Sequence, residues 1–346
     1  MNLGIGILLV VAGGALEGLF SLPVTRTPRW QWENIWGLGS LIALILVPWP
    51  VALLTVPELG SVFSSVDPNV LVWTFLFGVG WGVGGIFWGK AIAAVGMALG
   101  ISLLMGLLNV FGSPILLAFT EGPAKLAEPG GIMLLVAVAV MVLGVTLCAV
   151  AGNAKQRDLL TDAGEGGAST ATPFAVGLMF CAVSAILSAM VNFGFVYGEP
   201  IKQAAIKANV SVAAAPNAIW ALVFTGNYLV NTVYAFALML KRGTTGRLLK
   251  EGSTVYCLWA LFMGLAWPLG IVFYGMGADR MGRYGAFVAF PMMLVMAILF
   301  GNLAGILTGE WRGVSARTKA TMFVGIVVLV QAFAVFGMAS MFLANL

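Results

Sequence analysis

Runs of apolar residues long enough to cross about 30 Å of hydrocarbon recur along this chain with few polar interruptions. Ten such runs are predicted as helices, at 3–22, 34–56, 70–89, 97–119, 131–151, 173–198, 215–239, 254–275, 285–308 and 319–344. The loops between them are too short for a soluble domain. The predicted fold class is therefore all-α and integral to a membrane. The longest break, 152–172, is rich in Gly, Ala and Thr and carries Lys155, Arg157, Asp158, Asp162 and Glu165. Such a composition reads as a flexible linker. It divides the chain into 1–151 and 173–346, with five helices in each part.

A repeat sharpens that division. Trp73, Gly78, Trp81, Gly84, Phe87, Gly89 and Gly96 recur, 186 residues on, as Trp259, Gly264, Trp267, Gly270, Phe273, Gly275 and Gly282. Trp88 is answered by Tyr274, also an aromatic. Both copies fall in the third helix of their half. A half with five crossings delivers the chain to the opposite side, so its repeat must enter upside down. The expected architecture is ten helices as two inverted five-helix repeats, with a substrate held at the repeat interface. A duplicated membrane scaffold without transport activity is the plainer alternative.

Composition agrees with a membrane protein: 61% of residues are hydrophobic and 9% charged, against about a quarter charged in soluble domains. Twelve of the 17 Lys and Arg residues fall in loops after odd-numbered helices. By the positive-inside bias those loops are cytoplasmic and both termini lie outside. No basic residue precedes the first helix, which argues against a cleaved signal peptide. The net charge of +4 is spread over the loops, with no cluster suggesting nucleic acid. Cys148, Cys181 and Cys257 lie in separate helices, and the chain has no histidine. Neither a metal site nor a disulfide framework is expected, and no cofactor.

Candidate chemistry is confined to a few positions. Trp81, Gly84 and Trp88 share one helix face by their i, i+3, i+7 spacing, as do Trp267, Gly270 and Tyr274. Aromatic platforms beside glycines suit a ligand with apolar faces and polar edges, such as a sugar. The same residues would also serve simple helix packing. Trp30, Trp32 and Trp36 cluster at a helix entrance and read as interfacial anchors. Buried amides at Asn109, Asn192 and Asn231 are candidate partners for hydroxyl groups. Each could equally bond a neighbouring helix. Ser184, Ser188 and Asn192 climb one face of the sixth helix, and Asn227 sits one turn from Asn231.

Glu17 stands apart, inside helix one with no basic residue within eight positions. An ionised group near the bilayer centre costs ~3 kcal/mol on insertion scales, so the neutral carboxyl is the cheaper form. A carboxyl that meets water from alternating sides can carry a proton, and proton coupling is assigned to it. A structural acid bonded to a neighbouring helix is the alternative. Glu199 and Asp279 lie at helix ends, where water is expected.

Trp30-Gln31-Trp32-Glu33, Trp36-Gly37-Leu38-Gly39 and Val47-Pro48-Trp49 resemble the start of the L-rhamnose–proton symporter family of the drug/metabolite transporter superfamily. Phe75-Leu76-Phe77-Gly78, Trp81-Gly82 with Gly84, Gly96-Met97 with Gly100, and Gly309-Glu310-Trp311 resemble it further along. The matches are colinear over essentially the whole chain. The resemblance implies ten helices in two inverted halves and uptake of a 6-deoxyhexose with a proton across a bacterial inner membrane. It does not nominate Glu17, and the histidine expected near Gly277-Ala278-Asp279-Arg280 is missing. The leading expectation is a sugar–proton symporter of L-rhamnose or L-fucose type, with sugar, proton and lipid bilayer as partners. An exporter of amino acids or hydrophobic drugs from the same superfamily is the alternative. A membrane enzyme fits poorly with so few buried ionisable groups.

Overall fold

The computed structural model describes residues 2–95, 97–160, 174–250 and 254–344. Among them every regular element is helical, and ten helices are long and apolar enough to span a membrane. They are α1 (Leu3–Val24), α2 (Trp32–Thr55), α3 (Pro68–Ile92), α4 (Gly100–Glu121) and α5 (Pro129–Leu159). The second set is α6 (Ala175–Lys207), α7 (Pro216–Arg242), α8 (Thr254–Met281), α9 (Gly285–Leu307) and α10 (Ala316–Leu343). Gly96 of the repeat and 161–172 of the expected linker lie outside the described residues.

Two boundaries differ from the sequence reading. Residues 152–160, expected to open the linker, continue the helix of α5. Asp158 near its end accepts hydrogen bonds from the Ser315 N–H at 3.0 Å and the Thr318 hydroxyl at 2.9 Å, which ties α5 to the start of α10. The sixth helix, expected to stop at 198, runs to Tyr197 and resumes as Glu199–Lys207, with Pro200 in the first turn of the new segment. Proline also shapes α2 and α4. The turns Ile42–Leu46, just before Pro48, and Phe111–Ile115, around Pro114, are π-bulges. A proline has no N–H for the carbonyl four residues back, and the ladder locally widens by one residue.

The helices pair in a definite pattern. α1 packs on α8 and α9, while α6 packs on α3 and α4. α7 lies against α2 and α3, and α5 against α4 and α10. The contact of α3 with α7 depends on two glycines: a Cβ on Gly78 would come 2.0 Å from the Val223 carbonyl oxygen, and one on Gly226 2.2 Å from that of Phe75. Backbones can approach this closely only where side chains are absent.

Trp220 and Phe224 of α7, Tyr274 of α8, Phe290 of α9 and Phe336 of α10 are the bulkiest fully buried side chains among the described residues. Leu54, Phe119, Leu240 and Leu307 on the outside are at least 75% exposed. Large apolar groups turned outward belong to a surface covered by lipid. At the end of the bundle away from the termini, α2 is tied to the end of α7. Glu33, fully buried, faces the Arg242 guanidinium at 3.2 Å and accepts the Thr244 hydroxyl at 3.1 Å. The Asn34 amide donates to the Thr244 carbonyl at 3.0 Å.

Candidate functional site

Trp267, in the middle of α8, is the hub of an aromatic cluster drawn from four helices. Its ring lies 5.7 Å from Trp81 of α3, edge to face, and 5.3 Å from Phe20 of α1, stacked. Trp36 of α2 tilts against it at 5.6 Å. Edge-to-face and offset pairs at such separations use the ring quadrupoles favourably. The two repeat tryptophans that the sequence nominates are therefore brought together. Trp36, read from sequence as an interfacial anchor, is part of the same cluster: α2 begins at Trp32, and four residues later its face meets α8. Trp30 is also buried, edge-on to Tyr256 at 5.5 Å. Only Trp32 keeps an open face, 41% exposed and stacked on Trp36.

Glu17 borders this cluster. One turn along α1 from Phe20, it lies against Gly270, one turn along α8 from Trp267. A Cβ on Gly270 would fall 2.8 Å from the Glu17 Oε1. That oxygen is out of contact with solvent and has no hydrogen-bond partner. A buried acceptor without a partner is costly, so one in a native structure calls for an explanation.

A second aromatic layer follows toward the end that carries the termini. Tyr274 is fully buried, and its hydroxyl donates to the Asn192 side-chain oxygen. The Asn192 amide in turn donates to the Gly112 carbonyl at 2.6 Å, beside the π-bulge of α4. Trp220 stacks on Phe195 at 4.9 Å, and both rings border Tyr274. Phe224 links the two layers, 5.9 Å from Trp81 and 5.8 Å from Trp220.

The remaining candidates lie elsewhere. Trp88 packs with Ala91, Leu104 and Cys181 between α3, α4 and α6, away from Trp81. Asn109 donates to Met105 of its own helix at 2.8 Å, while its oxygen is buried without a partner. Asn231 bonds Asn227 at 2.6 Å and the Gly82 carbonyl at 3.3 Å. Ser184 donates to the Gly84 carbonyl at 2.8 Å, so Gly84 serves the contact of α3 with α6.

Beyond Tyr274 a cleft of about 610 Å³ opens at the end that carries the termini. Asp279, expected in water, has a side chain only 10% exposed and an ion pair with Lys202 at 2.9 Å. Sequence reasoning did not find Phe20, Phe195, Trp220 or this pair. Their partners are distant in sequence, and no spacing rule connects them.

The sequence model of the family described as L-rhamnose-proton symport protein (RhaT) matches residues 1–341. Proteins named L-rhamnose-proton symporter from Yersinia pestis (strain Pestoides F) and Yersinia pseudotuberculosis (strain YPIII) are each 25% identical over 342 residues. That alignment covers 96% of this chain and 97% of each relative. One of the same name from Citrobacter koseri is 25% identical over 340 residues, with the same coverage.

Proposed function

This chain belongs to the L-rhamnose-proton symport protein family, and from that premise we propose that it takes up a 6-deoxyhexose of L-rhamnose or L-fucose type together with a proton. The observation that carries the proposal is the Glu17 Oε1, buried without a partner beside Gly270, one turn from Trp267. A sugar needs ring faces for its C–H patches and acceptors for its hydroxyls, and Trp81, Trp267 and Glu17 supply both at one place. Tyr274 and Asn192 add a polar tip and an amide one turn further along. Trp88, Asn109 and Asn231 stand outside this cluster.

Transport follows by alternating access between 1–151 and 173–346, related as inverted repeats. The pairing of the helices supports that relation: α1 on α8 is matched by α6 on α3, and α1 on α9 by α6 on α4. In the state described here, rings 5.3–5.7 Å apart leave no gap for a hexose between Trp267 and its neighbours. The sugar is admitted when the halves part. Glu17 takes a proton from the outer side, sugar and proton cross together, and the carboxyl gives up its proton inside. The charge bias puts both termini outside a bacterial inner membrane.

A thermal-shift series on the purified protein tests this reading. A ligand that binds only the native state raises stability by RT ln(1 + [L]/Kd). L-rhamnose or L-fucose should raise the melting temperature, and hydrophobic drugs and amino acids should leave it unchanged. The reverse pattern would favour export of drugs or amino acids and defeat the proposal.

A further inference from the structure

The cleft at the end carrying the termini is built differently from the aromatic site. Its charged side chains are already paired with one another. Lys202 bridges Glu199 at 2.6 Å and Asp279 at 2.9 Å, and Arg283 meets Glu121 at 2.8 Å. An ionic ligand would have to break those pairs. A neutral molecule rich in hydroxyls need only add hydrogen bonds to carboxylates and an ammonium whose charges are already balanced. The Asp279 side chain is nine-tenths buried, and its Oδ2 has no partner. Below these groups Phe195 and Phe287, only 5% and 3% exposed, form the apolar floor of the cleft, a small patch of the kind a sugar's C–H groups pack on. The volume of about 610 Å³ falls within the ~300–1,000 Å³ typical of small-molecule sites.

The cleft and the central site lie along one helix. Asp279, Tyr274, Gly270 and Trp267 follow one another down α8, and Phe195 at the cleft stacks on Trp220 beside Tyr274. Twelve residues of helix at 1.5 Å each put Asp279 about 18 Å from Trp267. One sugar ring cannot touch both. Between them stands the Tyr274–Asn192 hydrogen bond.

Resting on the sugar-carrier reading above, we propose that this cleft is a second, separate sugar site. It holds a neutral 6-deoxyhexose between the Lys202–Asp279 pair and the Phe195 and Phe287 rings before the sugar passes Tyr274. The two sites are occupied in sequence, and each retains its ligand without the other.

Equilibrium dialysis of the purified full-length protein with labelled L-rhamnose counts the sites. Wild type should bind two sugars per chain. Trp267→Ala should keep one, and the double variant Lys202→Gln/Asp279→Asn, which removes charge but keeps hydrogen-bonding groups, should also keep one. Ala286→Trp adds bulk at a cleft position that belongs to none of the ion pairs and should match the double variant, which guards against a folding defect in either. A single sugar in wild type, lost in Trp267→Ala and kept in both cleft variants, overturns the second site and leaves the functional reading standing. Two sugars in both cleft variants overturn it likewise. No sugar bound by wild type overturns both.

Discussion

The contact of α1 with α8 and the contact of α6 with α3 are built on one register and end in different chemistry. Gly6 of α1 faces Met281 and Arg280, and Gly177 of α6 faces Val95 and Ala94. These partners keep the repeat offset of 186 residues on one helix and a constant 171 on the other. Further along, Gly13 faces the Gly270 backbone, where Ser184 donates to the Gly84 carbonyl. Next come Glu17 against Gly270 and Ser188 against Gly84. One frame thus carries an acid with an unpartnered buried oxygen at the aromatic hub. The other carries a small hydroxyl in a packed contact. A shared register sets how the helices meet, and the residues that differ within it, Glu17 for Ser188 and Gly13 for Ser184, set the two contacts apart.

The sharpest way to break this contrast is to neutralise both positions. Glu17→Gln keeps the shape and fixes the neutral form, and it should abolish sugar accumulation driven by a pH gradient in membrane vesicles. Ser188→Ala should leave accumulation near wild type. Exchange of labelled for unlabelled sugar should survive Glu17→Gln, because exchange does not require net proton movement. Concentrative uptake by the Glu17→Gln protein would remove Glu17 as the carrier and turn attention to Glu199 and Asp279. Equal loss in the Ser188→Ala protein would show that the two contacts are not functionally distinct.

The tryptophans offer the next largest effect. Trp267→Ala should weaken sugar binding at the central site about 5- to 150-fold, the range of ~1–3 kcal/mol expected for removing one central packing surface. Trp81→Ala should fall in the same range. Trp88, whose ring packs with Ala91, Leu104 and Cys181, is the comparator: its alanine variant should melt earlier and bind sugar as wild type does. A titration showing equal affinity loss in the Trp88→Ala protein would extend the site into the contact of α3 with α6.

Much of this was legible in the sequence, for identifiable reasons. The spans follow from apolar runs, and the meeting of Trp81 with Trp267 follows from a repeat rich in Trp and Gly. Glu17 was conspicuous because an acid in an apolar helix has few cheap explanations. The repeat by itself did not separate function from anchoring, since Trp73 belongs to it too and is half exposed. Phe20, Trp36, Trp220 and Phe195 were missed as a group because their helices are apolar on several faces. Periodicity then cannot say which face turns inward. The buried Glu33 and its partner Arg242 are 209 residues apart, and Lys202 and Asp279 are 77 apart. Such pairs become visible only once the helices are packed.

Glycine substitutions sharpen the comparison at the level of packing. A Cβ on Gly84 would fall 2.6 Å from the Ser188 backbone nitrogen, which cannot move without the helix. Gly84→Ala should therefore destabilise the protein by ~1–3 kcal/mol through overpacking. On Gly270 the nearest atom is the Glu17 Oε1 at 2.8 Å, the end of a flexible side chain, ahead of the Glu17 Cγ and the Gly13 carbonyl oxygen, each at 3.0 Å. Gly270→Ala should cost less stability and more transport, because relief of the clash displaces the carboxyl. Melting temperature and initial uptake rate, measured on both variants, separate the outcomes. A loss of transport in Gly84→Ala that exceeds its loss of stability would contradict the assignment.

The smallest effect lies at Gly13 and Ser184, where the two contacts differ by one hydroxyl. Ser184→Ala removes the 2.8 Å bond to the Gly84 carbonyl and leaves a Cβ that the contact already accommodates. Hydrogen bonds between helices in membranes average ~0.6 kcal/mol, so a drop in melting temperature of only a degree or two is expected. Gly13 at the matching position shows that such a contact holds with no hydroxyl at all. Its own substitution should behave differently. A Cβ on Gly13 would meet the Gly270 carbonyl oxygen at 2.7 Å and the Tyr274 nitrogen at 3.2 Å, both backbone atoms of α8. Gly13→Ala must then push α1 away from α8 and shift Glu17 with it, one turn along. Ser184→Ala should keep full uptake, whereas Gly13→Ala should slow uptake more than its change in stability accounts for. If both variants lose only stability and keep uptake in proportion to folded protein, the spacing of α1 from α8 does not set the position of the carboxyl, and the contrast between the two contacts reduces to packing.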